Sequence, residues 1–443
     1  MDSGGETISN MKNLLPKLYK DYGEYSNYRN FPLDADGLKP VERRVLLAAY
    51  RIAKHKFAKS RQVETYACGH FHPHGEAYGT LVQMVRQGFL IGQGNFGTNI
   101  GVEPVGAAAP RYTECQMNPA TLDMAFRHVE HTPWIDTELD DKEPFFLPTM
   151  FPFCLIGKEY TQGIGFGYKT LIPCYDIKDL HRRLLWLLGI RKTKPTIAPI
   201  TDCIITSPPK KLEKLLTTGK AKIDVEGVIE TDPRKNQVVL KSWPPGKKFE
   251  TFLNKFSKEL GDNMIGFTDL SVTETNIVFE VLRERNRDKI FNEFVEKLKD
   301  AVKGTIPFEI NVVDVDKKVF TKSVDDMLKD THEVFTAINQ NMLKTQVAKL
   351  NDKLDEHHLL AKIGKDLTDC VYRKGYTLKE TVQHISKIWG VTQKDLLALV
   401  NKYKISKLLT IDKDIKEIAA KIQDTQGNLK NISDFVLQQY GEI

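Results

Sequence analysis

The stretch VERRVLLAAYRIAKHKF, Val41–Phe57, puts two demands on one segment. Val41, Leu46 or Leu47, Ala49 and Ile52 recur at helical spacing, and cations fill many of the positions between them. Pro40, just ahead, suits the first turn of a helix. Arg43 and Arg44 then fall in its first turn and a half, where free backbone N–H groups and the helix dipole already favour an anion. The neighbourhood is equally basic. From Arg29 to Arg61 there are nine Lys or Arg (Arg29, Lys39, Arg43, Arg44, Arg51, Lys54, Lys56, Lys59, Arg61) against Asp34, Asp36 and Glu42. That excess equals the net charge of the whole chain, +6, so the remaining sequence is neutral. A basic block on a neutral chain points to a polyanion; a solvated helix face would give the same count.

At 443 residues the chain exceeds what one hydrophobic core usually holds, so two to four domains are expected. A hydrophobic content of 41% with 28% charged residues is that of a soluble globular protein. No apolar run approaches the ~18 residues of a membrane span. The start, MDSGGETISNMKNLL, lacks the basic-then-apolar pattern of an export signal. The six cysteines form no C-x-x-C pair, which indicates neither a zinc site nor a disulfide framework and fits a reducing cytoplasm.

The first hundred residues read as helices with short loops. Between about residues 145 and 320 the pattern is mixed. GVIETDPRKNQVVLKSW reads as two strands about the turn Asp232–Asn236, FETFLNKFSKEL as a helix, and TNIVFEVLRE and FEINVVDV as further strands. Beyond residue 320, Phe335, Ile338, Met342, Leu343, Val347, Leu350 and Leu354 follow three-four spacing, and Ile411, Ile415, Ile418, Ile422, Leu429, Ile432 and Val436 do much the same. Two long heptad-like helices with TLKETVQHISKIWGVTQKDLLALV between them describe an antiparallel hairpin with a helical tip. Trp389 and the leucines there suit either internal packing or a second subunit.

Several short motifs bear on chemistry. GQGNFG, Gly92–Gly97, fits G-x-G-x-x-G, but TNIGVEPVGAAAP after it opens no helix, so a dinucleotide site is not supported. VVDVD, Val312–Asp316, either binds a hard cation through two carboxylates or ends a strand in a polar turn. No G-x-x-x-x-G-K-[ST] occurs, so no P-loop is expected. HFHPHG, His70–Gly75, sets three histidines two apart; zinc lacks an obvious fourth ligand, and hydrogen bonds to phosphate oxygens are the alternative. In AAAPRYTE, Ala107–Glu114, Arg111 and Tyr112 are adjacent. A protonated phenol attacks phosphorus only with help from a base, a metal or nearby cations. Arg111, the basic block and the histidines could supply the cations; a packing role for Tyr112 is the plain alternative.

Taken in order, DGLKPVERRVLLAAY, HFHPHGEAYGTLVQM, GQGNFG, AAAPRYTE and GIGFGYKT (Gly163–Thr170) resemble the DNA-cleaving subunit of type IIA topoisomerases, the gyrase A and ParC family. The resemblance is strong from Asp36 to Thr170 and continues through TTGKAK (Thr217–Lys222) to the C-terminal helices. It implies an α+β multidomain chain: a winged-helix domain over 1–150, a mixed α/β tower over 151–320, and a long antiparallel coiled coil with a helical exit-gate tip over 321–443. The chain stops after the returning helix, with no DNA-wrapping tail and no fused ATPase or TOPRIM segment, as in bacteriophage versions of this subunit; the host cytoplasm or nucleoid would then be its location.

Residue by residue, the resemblance makes Tyr112 the nucleophile that forms a 5′-phosphotyrosyl ester and Arg111 its electrostatic support. His72, His74, Arg29, Lys39, Arg43 and Arg44 match DNA contacts, and Ile164 matches a wedge between base pairs. The implied partners are double-stranded DNA, a second copy of the chain, and TOPRIM and ATPase subunits that bind Mg²⁺ and ATP; no metal site is expected here. The implied function is cleavage and religation in an ATP-dependent type II topoisomerase. A non-catalytic architectural protein that bends DNA on the same scaffold is the first competing reading, and a nicotinamide oxidoreductase using GQGNFG the second. Two departures stand out. HPHGEAYGT is two residues shorter than the family's HPHGDSAVYDT, which leaves quinolone sensitivity open, and Glu42 replaces the histidine of KPVHRR.

Overall fold

The computed structural model describes residues 5–102, 105–260, 265–281, 287–370, 374–403 and 410–441. They divide into two compact units, Met1–Phe335 and Thr336–Ile443. Helices and several small antiparallel sheets alternate along the chain, in keeping with the α+β class.

The first unit opens with helix α1 (Gly5–Asn30), followed by α2 (Pro40–Ile52), strand β1 (Ala58–Lys59), α3 (Ser60–His70), α4 (Tyr78–Arg86), β2 (Leu90–Gln93) and β3 (Glu114–Met117). The three strands form one antiparallel sheet in the order β1-β3-β2. Helix α2 is less one-sided than its spacing predicts. Val45, Leu46, Leu47, Ala48 and Ala49 are all fully buried, because α3, α4 and β3 pack around it. Its start is built as the sequence indicates, with Pro40 in the first turn. Glu42 turns inward, and its Oε2 accepts the Lys39 backbone N–H at 2.9 Å. That bond satisfies a donor the helix leaves open, which gives the departure from KPVHRR a structural role; burial pushes the Glu42 carboxyl pKa upward.

Arg43 corrects an expectation. It does not face outward to a phosphate but is 4% exposed. Its Nε and Nη2 donate to Asp36 at 2.7 and 3.0 Å, and Nη2 also donates to the Leu38 carbonyl at 3.3 Å. Asp36 in turn accepts the backbone N–H groups of Leu38 and Leu147 at 3.0 and 2.9 Å. Both charges are paired, as burial requires, and at 4% exposure the guanidinium is not presented to a ligand.

After residue 150 the described chain builds two larger sheets and a two-stranded one. The largest runs Thr161–Ile164, Lys169–Ile172, Lys303–Glu309, Lys220–Glu226, Ile204–Ile205 in that order. The second has Ile229–Asp232, Gln237–Leu240, Ile277–Val281 and Ile265–Asp269. It is packed with Phe249 and with Phe291, Phe294 and Leu298 of helix Arg287–Ala301. The turn after Asp232 forms as read, with Asp232 Oδ1 accepting the N–H groups of Arg234 and Lys235. FEINVVDV is two strands rather than one: Lys303–Glu309 ends at the largest sheet, and Asn311–Val313 pairs with Val319–Thr321. Asp314 Oδ1 is occupied by the N–H groups of Asp316 and Lys318, so the VVDVD carboxylates end a strand in a polar turn. Farther on, the fully buried Arg183 joins three helices. It pairs with Glu213 and, through Nε and Nη2, with Asp325 at 2.8 and 2.7 Å, in the first turn of the long helix Val324–Thr368.

The second unit contains most of that helix and a return segment. Ile411 packs with Leu360 and Ile363, and Gln439 Nε2 donates to Asn339 Oδ1 at 2.9 Å, so the two run antiparallel. Between them, helix Leu378–Trp389 starts at a Thr377 cap and ends on the left-handed Gly390, and Thr392 caps Gln393–Lys402. The return is not one helix: it breaks at Asn431 (φ −108°, ψ 45°) between Ile411–Lys430 and Ile432–Tyr440.

The ion pair generates a stability prediction. Arg43→Ala leaves the Asp36 carboxylate buried without its counter-charge and should lower stability by about 3–5 kcal/mol. Urea unfolding followed by circular dichroism measures it; a loss under about 1 kcal/mol would show that the pair does not hold this region together.

Candidate active site

The turn carrying Arg111 and Tyr112 is fixed by its neighbours. Thr113, fully buried, donates from Oγ1 to Ser60 Oγ at 2.8 Å and accepts the Ser60 N–H on its carbonyl. The Arg61 N–H bonds the Pro110 carbonyl at 3.1 Å, so the start of α3 is tied to both sides of the turn. Tyr78, at the head of α4, donates from its hydroxyl to the Ala108 carbonyl at 2.5 Å. The glycine-rich loop closes the other side, where the Ala108 N–H bonds the Asn95 carbonyl at 2.9 Å. At Gly97 (φ +71°) a Cβ would lie 2.2 Å from the Val105 carbonyl oxygen, so no larger residue fits. GQGNFG is therefore a buttress for the tyrosine turn, which explains its glycines without a dinucleotide.

On this rigid turn Tyr112 is 65% exposed, and the Arg111 guanidinium lies 4.6 Å from its ring centroid. At that exposure Tyr112 is not part of the chain's own core. A cation so placed can stabilise negative charge that develops beside the ring.

A second cluster forms around HPHG. Arg44, expected at a phosphate, donates from Nε and Nη2 to Glu143, both at 2.8 Å, and its Nη1 lies 3.4 Å from His72 Nδ1. His72 is buried. Burial first, then the charges of Arg44, His74 and Arg29, lower its pKa to about 4. So low a value leaves the ring neutral at physiological pH. His74 Nε2 is hydrogen-bonded to the Tyr25 hydroxyl, and its ring meets that of His72 edge-on at 5.7 Å. Arg29 is exposed at the end of α1, its guanidinium 5.7 Å over the Tyr25 ring. The third histidine, His70, leaves the group and pairs with Asp141 at 2.7 Å. The zinc alternative thus loses a ligand, and among the described residues no three His, Cys, Asp or Glu side chains converge as a metal site.

Ile164 is 82% exposed at the tip of the hairpin Thr161–Ile172. Two anchors hold the hairpin to the first elements. Lys39 Nζ donates to the Gln162 carbonyl at 2.6 Å, and the buried Asn27 exchanges two hydrogen bonds with the Phe166 backbone at 2.6 and 3.3 Å. The structure thus gathers Arg29, Lys39, Arg44, His72, His74 and Ile164 through contacts with α1 and α2, and attaches the Arg111–Tyr112 turn to α3 and α4. Sequence reasoning missed Tyr25, Asn27, Tyr78 and Glu143. Each acts across at least 30 positions; Tyr78 stands within HFHPHGEAYGTLVQM, but no local pattern marks the other three.

Known proteins share this sequence over most of its length. The family model for the A subunit of DNA gyrase/topoisomerase IV matches residues 29–440. The DNA gyrase A subunit of Mycolicibacterium smegmatis is 26% identical over 462 residues, which cover 94% of this chain and 53% of that protein. The corresponding gyrase chain of Haemophilus influenzae is 27% identical over 435 residues, covering 89% and 47%. That of Neisseria gonorrhoeae is 28% identical over 320 residues, covering 63% and 34%. The chain spans about half the length of the curated relatives it matches most fully. A match over so much of the sequence, together with a tyrosine presented beside an arginine on a buttressed turn, assigns the chain to the family of DNA gyrase and topoisomerase IV A subunits.

Proposed function

We propose that this chain is the DNA cleavage and religation subunit of a multi-subunit, ATP-dependent type II topoisomerase. The observation that carries the reading is the Arg111–Tyr112 pair: a rigidly mounted, exposed phenol with a guanidinium 4.6 Å from its ring. Tyr112 Oη attacks a backbone phosphorus and loses its proton. The bond to the 3′ oxygen breaks, that oxygen leaves as a hydroxyl, and a 5′-phosphotyrosyl ester remains. The ester conserves the bond energy, so the reverse attack reseals the strand without nucleotide hydrolysis. Arg111 stabilises the charge that builds on the phosphoryl oxygens. His74 and Arg29 contact the phosphate backbone, while Ile164 enters the base stack and bends the duplex.

On this reading residues 1–150 form the winged-helix cleavage domain, 151–320 the tower, and 321–443 a coiled coil with the exit gate of a homodimer. Each of two copies cuts one strand, and a second duplex passes between them. The divalent cation and ATP belong to TOPRIM and ATPase partner chains. Arg43, buried against Asp36, has no part in DNA contact.

Tyr112→Phe tests the reading. The chain, combined with its partner subunits, DNA and Mg²⁺ and quenched with detergent, should form covalent protein–DNA adducts that this variant lacks. Adducts at the wild-type level in the variant would overturn the reading. Arg111→Ala should slow cleavage of bound DNA about 10²–10³-fold, measured as adduct formation in a single turnover, and leave the DNA affinity within a few-fold. Arg29→Ala should weaken binding and reduce the slope of log K against log salt by about 0.9, the contribution of one phosphate contact; fluorescence anisotropy across a salt series reads it, and an unchanged slope would remove Arg29 from the interface.

A further inference from the structure

We infer that Tyr25, on α1, is a positioning residue for strand cleavage that holds His74 through its hydroxyl and Arg29 through its ring. The inference rests on the reading of Tyr112 and His74 given above and assigns a role to a residue that lies outside every motif quoted for the family.

Three features make the phenol a fixed point rather than a side chain in passing contact. First, the C-terminal half of α1 is clamped to the Ile164 hairpin. Asn27 both takes the Phe166 N–H and donates to its carbonyl, and the Tyr19 ring meets the Phe166 ring edge-on at 5.0 Å. The approach is close enough that a Cβ on Gly163 would sit 2.4 Å from the Asn30 carbonyl oxygen. Second, the hydroxyl reaches across 49 positions to His74 Nε2, the two rings lying 5.9 Å apart at an interplanar angle of 70°. Third, the face of the same ring carries the Arg29 guanidinium at 5.7 Å, one turn further along the helix.

The chemistry follows from the two nitrogens of an imidazole. The bond that one nitrogen makes decides which nitrogen carries the proton. Where the phenol donates to Nε2, the proton of the ring sits on Nδ1, and that nitrogen can donate to a phosphate oxygen. His72, kept neutral by burial, meets the same ring edge-on. Tyr25 thus sets both the direction and the donor character of His74. Its ring meanwhile restrains Arg29, whose long side chain would otherwise lose more rotamer freedom on binding. The hairpin that bears Ile164 grips the same helix, so the wedge and the phosphate-contacting groups share one mount.

The two functions of the side chain separate by substitution. Tyr25→Phe removes the hydroxyl and keeps the ring; Tyr25→Leu removes both. In the reconstituted enzyme, Tyr25→Phe should leave the DNA affinity within about twofold and slow cleavage of bound DNA about tenfold, the usual scale for a residue that orients an active group. Combined with His74→Ala it should add no further loss. Tyr25→Leu should also weaken DNA binding and lower its salt dependence, as Arg29→Ala does. A second readout needs no activity. In ¹⁵N-histidine spectra of the chain, Tyr25→Phe should move the ring-nitrogen signals of His74 and leave those of His70, which is bound to Asp141. If wild type forms Tyr112-dependent adducts and Tyr25→Phe cleaves at the wild-type rate, the inference is overturned. It is also overturned if the Tyr25 and His74 losses multiply, or if the His74 signals stay in place. Absence of adducts from the wild type would instead sink the reading of the site itself.

Discussion

The buried pair of Asp36 and Arg43 is the constraint from which the first unit is built. One carboxylate receives four hydrogen bonds: two from the guanidinium, one from Leu38 at the approach to α2, and one from Leu147 more than a hundred positions away. The Asp36 carbonyl also takes the Phe153 N–H. A charge in the interior persists only when its lone pairs are matched, so the geometry of this knot is demanding. It sets where α2 begins and where the chain re-enters after residue 146. From α2 the rest is placed in turn: α3 and α4 pack on its buried face, and the starts of both hold the tyrosine turn. Through Lys39, just ahead of α2, the hairpin of Ile164 is tied to the same origin.

Charge also shows how far the sequence could be read. The excess between Arg29 and Arg61 was visible. What could not be counted locally was neutralisation by distant carboxylates. Arg44 is matched by Glu143 and Lys59 by Glu114, partners that only the folded chain brings near. The basic block therefore overstates the free positive surface, and Arg29, at the end of α1, is a better candidate contact than the double arginine that dominates the motif. Glu42 is the converse case. It looked misplaced beside phosphates, yet it belongs to the helix start three residues behind it.

Elements with a strong local signal were legible. The turn at Asp232 and the apolar spacing of the long helix both follow from short-range chemistry. The splitting of FEINVVDV and the break at Asn431 were not, since each depends on which neighbour a segment meets. The candidate site divides the same way. Arg111, Tyr112, His74, Ile164 and Tyr78 stand in contiguous motifs, whereas Tyr25 and Asn27 act across long separations and carry no pattern of their own. Residues that orient others are invisible to a reading confined to neighbours in sequence.

Thr113 lies wholly in the interior while the residue before it stands in water. The turn is secured through Thr113, Ala108 and Pro110, so folding draws nothing from the phenol itself. On the function proposed above, replacing the phenol at position 112 removes the nucleophile yet gives a chain that is as sound as the original and offers cellular quality control nothing to detect. Such a chain persists at full abundance, and its defect emerges only when chemistry is demanded of it.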